Sequence, residues 1–407
     1  MLNEKRKEEL TTLCQRLVKE QSYSGNEKSV ADIIQDFAHS KLFDSVIKDK
    51  YGNVILVING NSDGPKVLFD GHIDTVPVNE DKWNVDPFSG EINNGKIYGR
   101  GTSDMKGAVS AMVAAACYFA EDTNKQFPGT IYVSCSVHEE CFEGVATREV
   151  SEQVKPDYVV IGEATDLNLN RGQRGRAEIV LETFGKSAHS SNPEKGVNAV
   201  NKMNGLLLKI QQLKVAEHPI LGKGILELTD IKSAPYPGAS VVPSHCKVTF
   251  DRRLLVNETK ESVLAPIESL IKEMKKTDPE LKATVSYAYG EEKCYTGEKI
   301  GGERFFPAWL FNEKEAFVEA ALDSLLQQGI DSKISHYSFC TNGSHFAGEN
   351  GIKTVGFGPS QEHMAHIDNE YIEIQQLQQA TVGYYSLMQA FTHLKKEQKQ
   401  TGRREYV

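Results

Sequence analysis

Seven residues set the chemical question. His72 and Asp74 stand two apart in "VLFDGHIDTVPV", and Asp104 lies in "GRGTSDMKG". Glu139 and Glu140 are adjacent in "SVHEECFEG", Glu163 follows the apolar run in "VVIGEAT", and His366 sits in "EHMAHIDNEY". Taken alone, an H-x-D pair reads as a rim histidine beside a turn-capping aspartate. The further acids change that reading, because like charges crowded together raise one another's pKa values. Two adjacent glutamates with a third acid near them call for positive charge in between, and a pair of divalent cations supplies it. Zinc takes imidazole nitrogen and carboxylate oxygen at about 2.0–2.2 Å. One carboxylate can bridge two such ions roughly 3.5–4 Å apart. The chemistry would then be metal-assisted hydrolysis.

Other hydrolytic and nucleotide chemistries find no support. "HEECF" is not the single-zinc helix H-E-x-x-H, since Phe142 occupies the second histidine position and the segment follows a strand. The chain has no G-x-S-x-G elbow and no phosphate-binding P-loop.

The elements around these residues explain how they could meet. "KVLFDGH", "TIYVSCSV", "DYVVIGEAT" and "KTVGFG" read as strands, and each leads into one of the chemical residues. Pro77 marks the end of the first, because proline cannot donate to a ladder. "MKGAVSAMVAAACYFA" is helical, apolar on nearly all sides and rich in small residues, as suits a helix pressed against a sheet. Strands alternating with helices imply an α/β fold, a mostly parallel sheet with helices on both faces and sites at the strands' carboxyl ends. After "RGQRGR" the pattern becomes strand–helix–strand–strand–helix–strand, the order of a ferredoxin-like insert. The expected division is an α/β domain of residues 1–175 and 292–407 and an inserted α+β domain of residues 176–291.

Bulk properties narrow the partners. The 407 residues carry a net charge of -10, which argues against nucleic acid. No apolar run approaches the roughly 20 residues of a membrane span, and "MLNEKRKEEL" lacks the apolar segment of a signal peptide. The seven cysteines are scattered, odd in number and free of C-x-x-C pairs, which fits reduced thiols in a cytoplasm. The basic end "HLKKEQKQTGRREYV" reads as a solvated or frayed tail.

"FDGHIDTVP", "GRGTSDMKG", "HEE", "IGEAT" and "AHIDNEY", in this order and spacing, resemble the dizinc family of acetylornithine deacetylase, succinyl-diaminopimelate desuccinylase, aminoacylase and glutamate carboxypeptidase. The resemblance covers nearly the whole chain, and it would make residues 1–175 and 292–407 a catalytic metal-binding domain and residues 176–291 a lid and dimerisation domain. "RGQRGRAEI", "LGKGIL", "FFPAW", "CTNGSH" and "VGFGPS" look more specifically like the YgeY-type, selenium-metabolism-linked branch.

The resemblance implies two divalent metal ions per chain, zinc first, with cobalt or manganese able to substitute. His72, Asp104 and Glu163 would hold one; Asp104, Glu140 and His366 would hold the other, with Asp104 bridging. Glu139 would be the general base toward a bridging water, and Asp74 would hydrogen-bond the far nitrogen of His72. The "AH-x-x-NEY" spacing favours His366 over His363. A cis peptide is expected at Asp104–Met105. His189, contributed by the inserted domain of a second subunit in a homodimer, would polarise the scissile carbonyl. Arg253 would bind a substrate carboxylate, against the plainer reading of a structural salt bridge. Asn342 and Gly343 in "CTNGSH" are placed with the substrate. Two departures, Ser240 where many relatives carry Asn and Asn342 where many carry Asp, fall in the substrate region. The implied activity is hydrolysis of a C–N amide bond in a small N-acyl or carbamoyl amino acid or peptide with a free carboxylate. Its rivals are a dipeptidase or carboxypeptidase, and a catalytically silent, metal-stabilised binding protein, against which Glu139 beside Glu140 argues.

Overall fold

The computed structural model describes residues 1–395; the end of the basic tail, residues 396–407, lies outside the described residues. Two helices open the chain. Asn3 caps the first, Glu4–Lys19, by accepting from the Arg6 N–H, and Leu10, Leu13, Cys14, Leu17 and Val18 form its buried stripe. The second, Lys28–His39, buries Val30, Ile34 and Phe37.

The main sheet has nine strands. Its centre is parallel: Pro128–Ser136, Ser62–His72, Tyr158–Ile161 and Lys353–Gly356 lie side by side in that order. Antiparallel neighbours flank it, Val54–Asn59 on one side and Leu169–Gln173 on the other. Register aligns His72 with Ser136 and Asp70 with Ile161. The segments that follow these strands therefore leave the sheet at one edge.

Helix Gly107–Thr123 is buried along most of its length and packs with Ile374–Thr392 over one face of the sheet. Close approach fixes the residues opposite it. A Cβ at Gly71 would stand 2.6 Å from Met112 Cε, and one at Gly162 would stand 2.8 Å from the same atom.

The inserted unit has its own core. Its sheet runs Ile225–Ala234, His245–Leu254, Gly175–Phe184, Lys282–Tyr287, all antiparallel. Helices Ala199–Ile210 and Lys260–Thr277 cover one face through Met203, Leu206, Ile267 and Ile271. This is the ferredoxin-like strand order. The hairpin of Tyr289–Lys293 and Lys299–Glu303 straddles the expected boundary at residue 291 and packs on the catalytic side. Cys294 and Ile300 join the main core, and Tyr295 Oη donates to the Gly52 carbonyl at 2.7 Å. Among the described residues, no helix is long and apolar enough to cross a membrane.

Candidate metal centre

His72 closes its strand with the ring fully enclosed. Its Nδ1 lies 2.9 Å from the backbone carbonyl of Asp74, which makes Nδ1 the donor and turns the Nε2 lone pair outward. Nε2 stands 2.9 Å from Asp104 Oδ1 and 3.4 Å from Glu163 Oε1. The Asp74 carboxylate also faces this nitrogen, at 3.5 Å, so side chain and backbone carbonyl both lie against Nδ1, the carbonyl at the shorter distance. Other donors hold the carboxylate. Oδ1 accepts the Glu139 N–H at 3.0 Å; Oδ2 accepts the Glu140 N–H at 3.1 Å and the Ser24 hydroxyl at 2.7 Å. Asp74 thus fixes the turn that carries both glutamates.

His366 Nε2 lies 3.0 Å from Glu140 Oε2 and 3.2 Å from Asp104 Oδ2. Two donor sets result, His72–Asp104–Glu163 and Asp104–Glu140–His366, each with ligand atoms within 4.8 Å of one another. Asp104 belongs to both. His363 is exposed on the short turn Glu362–Met364 and belongs to neither. The Asp104–Met105 peptide is cis, and Gly101 at φ +86° supplies the left-handed residue the preceding turn requires.

The charges in this cluster suit bound cations. Burial pushes the Glu139 carboxyl well above its ordinary range, and Glu163 and Glu140 add to the effect against His72. Burial and Asp104 raise Glu140 to about 7. Asp104 and Glu140 raise His366 to about 10 against the opposing effect of its burial. Glu140 Oε1 is also buried with no hydrogen-bond partner among the described residues. Imidazole and carboxylate donors around one shared acid suit two divalent ions of the zinc, cobalt or manganese kind.

The donor sets open on a cavity of about 500 Å³. Glu139 and the ligand acids form one wall; Arg176 and Arg253 of the inserted unit, with Phe339 and Cys340, form others. Arg253 also ion-pairs with Asp251 at 2.8 Å, so its structural and cavity-facing readings coexist. Asn342 and Gly343 are corrections. Neither lines the cavity, because the Asn342 amide is consumed in packing: Nδ2 donates to Asp70 Oδ2 and Ser136 Oγ at 2.9 Å each, and Oδ1 accepts from the Gly144 N–H. Gly343 is enclosed against Trp309.

His189 does not join the metal cluster within one chain. It is exposed on the inserted unit, bonds Ser191 through Nδ1 at 2.7 Å and bridges to Val241, next to Ser240.

Two supporting residues were not singled out from the sequence. Glu27 accepts the His138 N–H at 3.3 Å, so buried Glu27 and Asp74 together hold three successive amides at residues 138–140. Glu370 holds the amides of residues 101, 103 and 104. The "NEY" spacing pointed to the right loop for Glu370; "SGNE" carried no comparable signal for Glu27.

Comparison with known proteins gives the chain's family and fold. Residues 68–390 match the family described as peptidase family M20/M25/M40. The uncharacterized protein YgeY of Escherichia coli (strain K12) is 35% identical over 371 residues, 89% of each chain. An acetylornithine deacetylase of Buchnera aphidicola (subsp. Acyrthosiphon pisum, strain Tuc7) is 27% identical over 334 residues, 80% of each chain. In fold, a tripeptidase from Staphylococcus aureus superposes with a TM-score of 0.73 at 21% identity, over 97% of this chain and 100% of its own.

Proposed function

The chain belongs to peptidase family M20/M25/M40 and is a hydrolase of amide or peptide bonds, and from that premise we propose that it is a dinuclear metal-dependent amidohydrolase acting on small N-acyl or carbamoyl amino acids. The observation that carries the proposal is the pair of donor sets sharing Asp104, with Glu139 on the same cavity wall. His72, Asp104 and Glu163 would hold one ion, and Asp104, Glu140 and His366 the other. Zinc is the expected metal, with cobalt or manganese able to replace it. When bound, two such ions lower the pKa of a shared water so that it is a nucleophile at neutral pH.

The protein's own groups do the rest. Glu139 accepts a proton from the attacking water and delivers it to the leaving nitrogen. Arg253 orients the substrate carboxylate. His189, from the inserted domain of a second subunit, donates to the carbonyl oxygen as it gains charge. The unpaired, solvent-facing edge of Ile225–Ala234, with Ile231 54% exposed, supports homodimerisation through that domain. The seven free thiols support a cytoplasmic setting.

The test joins metal analysis to a substrate screen. Gently purified protein is expected to hold up to two divalent ions per chain. Chelation should abolish, and metal re-addition restore, turnover in a panel of N-acyl amino acids, N-carbamoyl amino acids and dipeptides. Faster turnover of dipeptides would make it a dipeptidase with the same centre. Turnover indifferent to chelation would overturn the reading.

A further inference from the structure

Arg176 and Arg253 are direct cross-strand partners in the pairing of Gly175–Phe184 with His245–Leu254, and both line the cavity. Like charges directly opposite one another destabilise a sheet. Asp251 offsets them: it stands two residues before Arg253, on the same face of the strand. Its Oδ2 is 2.9 Å from Arg176 Nε and its Oδ1 is 2.8 Å from Arg253 Nε. Arg176 also reaches across to the catalytic domain, where Nη1 lies 2.8 Å from Glu143 Oε1. Glu143 sits three residues beyond Glu140, in the loop that carries the expected base. An unbroken line of ion pairs thus runs from that loop to the expected carboxylate-binding arginine.

We propose that Glu143–Arg176–Asp251–Arg253 is a positioning chain, in which Arg176 and Asp251 aim the Arg253 guanidinium into the cavity and thereby set the preference for substrates with a free carboxylate. The proposal rests on the reading that Arg253 receives that carboxylate. Two effects follow from the geometry. Asp251 fixes a flexible side chain before substrate arrives, so less ordering is left to be done on binding. Arg176, in turn, divides the charge of Asp251. Were Arg176 neutral, Asp251 would pair with Arg253 alone and leave it a poorer partner for a second carboxylate. Glu143 holds Arg176 in that dividing position.

The readout is the ratio of kcat/KM for a carboxylate substrate to that for its carboxamide. N-acetyl-L-methionine against N-acetyl-L-methioninamide is one pair; if a dipeptide is faster in the screen, that dipeptide and its C-terminal amide replace it. Arg253→Ala should lower the ratio about 10–100-fold, the worth of a hydrogen bond between charged groups. Arg176→Gln and Asp251→Asn should each lower it roughly 3–30-fold, as for residues coupled by contact. Each should lose its effect in the Arg253→Ala background. An unchanged ratio in both single variants, or an undiminished effect in that background, overturns the chain. Arg253→Ala leaving the ratio unchanged refutes the carboxylate reading instead. A crystal structure of Asp251→Asn then judges positioning alone: a displaced Arg253 guanidinium supports it, and an undisplaced one overturns it.

Discussion

Glu370 holds Asp104 by its backbone: Oε1 of the buried Glu370 carboxylate accepts the Asp104 N–H at 3.1 Å. The same oxygen takes the Ser103 N–H at 2.7 Å; Oε2 takes the Gly101 N–H at 3.0 Å and Arg100 Nη1 at 2.7 Å. One loop therefore presents His366 and, four residues later, fixes the acid shared by both donor sets. Glu370→Gln would set an amide donor against some of these donors, and Glu370→Ala would leave buried N–H groups unpaired at about 1–3 kcal/mol each. The expected outcome for Glu370→Gln is a loss of metal affinity of about 10–100-fold, with Glu370→Ala losing more. Competition with a chromogenic chelator measures it, and circular dichroism checks that the fold persists.

Glu139→Gln keeps the side-chain shape and leaves both donor sets untouched. Metal content should stay at the wild-type level while turnover falls by about 10²–10⁴-fold, the usual contribution of a general base. Loss of one metal in this variant would mean that Glu139, rather than Glu140, is the ligand. Wild-type rates would place the base elsewhere.

Much of the centre was legible because parallel strands deliver the segments after them to one edge. His72 ends one of four adjacent parallel strands, and Glu139, Glu140, Glu163 and His366 follow the others. An amino-acid string does not tell which atom of a residue makes the contact. Asp74 faces the His72 ring with its carboxylate at 3.5 Å, and the sequence does not show that its backbone carbonyl lies nearer, at 2.9 Å, or that two amides and a hydroxyl also hold the side chain. Asn342 was placed with substrate and instead ties Asp70, Ser136 and Gly144 together. Glu27 is silent in the sequence for a related reason. Accepting backbone N–H groups leaves no signature in the residue types of the segment being held.

Glu349 gives a pH signature away from the metals. Burial alone would raise its carboxyl, but His345 at 2.7 Å and Arg148 at 2.6 Å hold it down at about 2. A folded value below the unfolded one means that this carboxylate's stabilisation is full above the ordinary glutamate range near 4.5 and is lost as pH falls toward 2. The site is partly exposed, so the contribution is about 1 kcal/mol after solvent screening. In metal-free protein, urea denaturation should show Glu349→Gln less stable than wild type at pH 7, with the gap narrowing below pH 4.5. A gap that held constant from pH 7 to pH 3 would show that the charge on Glu349 contributes nothing.

His189 provides the last test, because its place in one chain is at odds with its expected role. It is exposed on the inserted unit, bonded to Ser191, and absent from the cavity wall. If a second copy supplies it, every site combines Glu139 of one chain with His189 of the other. His189→Ala should then lose turnover without losing metal, and Glu139→Gln should be inactive for a separate reason. A heterodimer of the two variants rebuilds one complete site, between Glu139 of the His189→Ala chain and His189 of the Glu139→Gln chain. With random exchange in equal amounts, half the dimers are mixed and each has one intact site of two. The expected recovery is therefore about a quarter of wild-type activity, as a two-fold assembly requires. Exchange is verified first, by mixing differently tagged copies and isolating the doubly tagged dimer. No recovery in that isolated species would mean that each site is built within one chain, with His189 brought to the cavity by movement of its own domain.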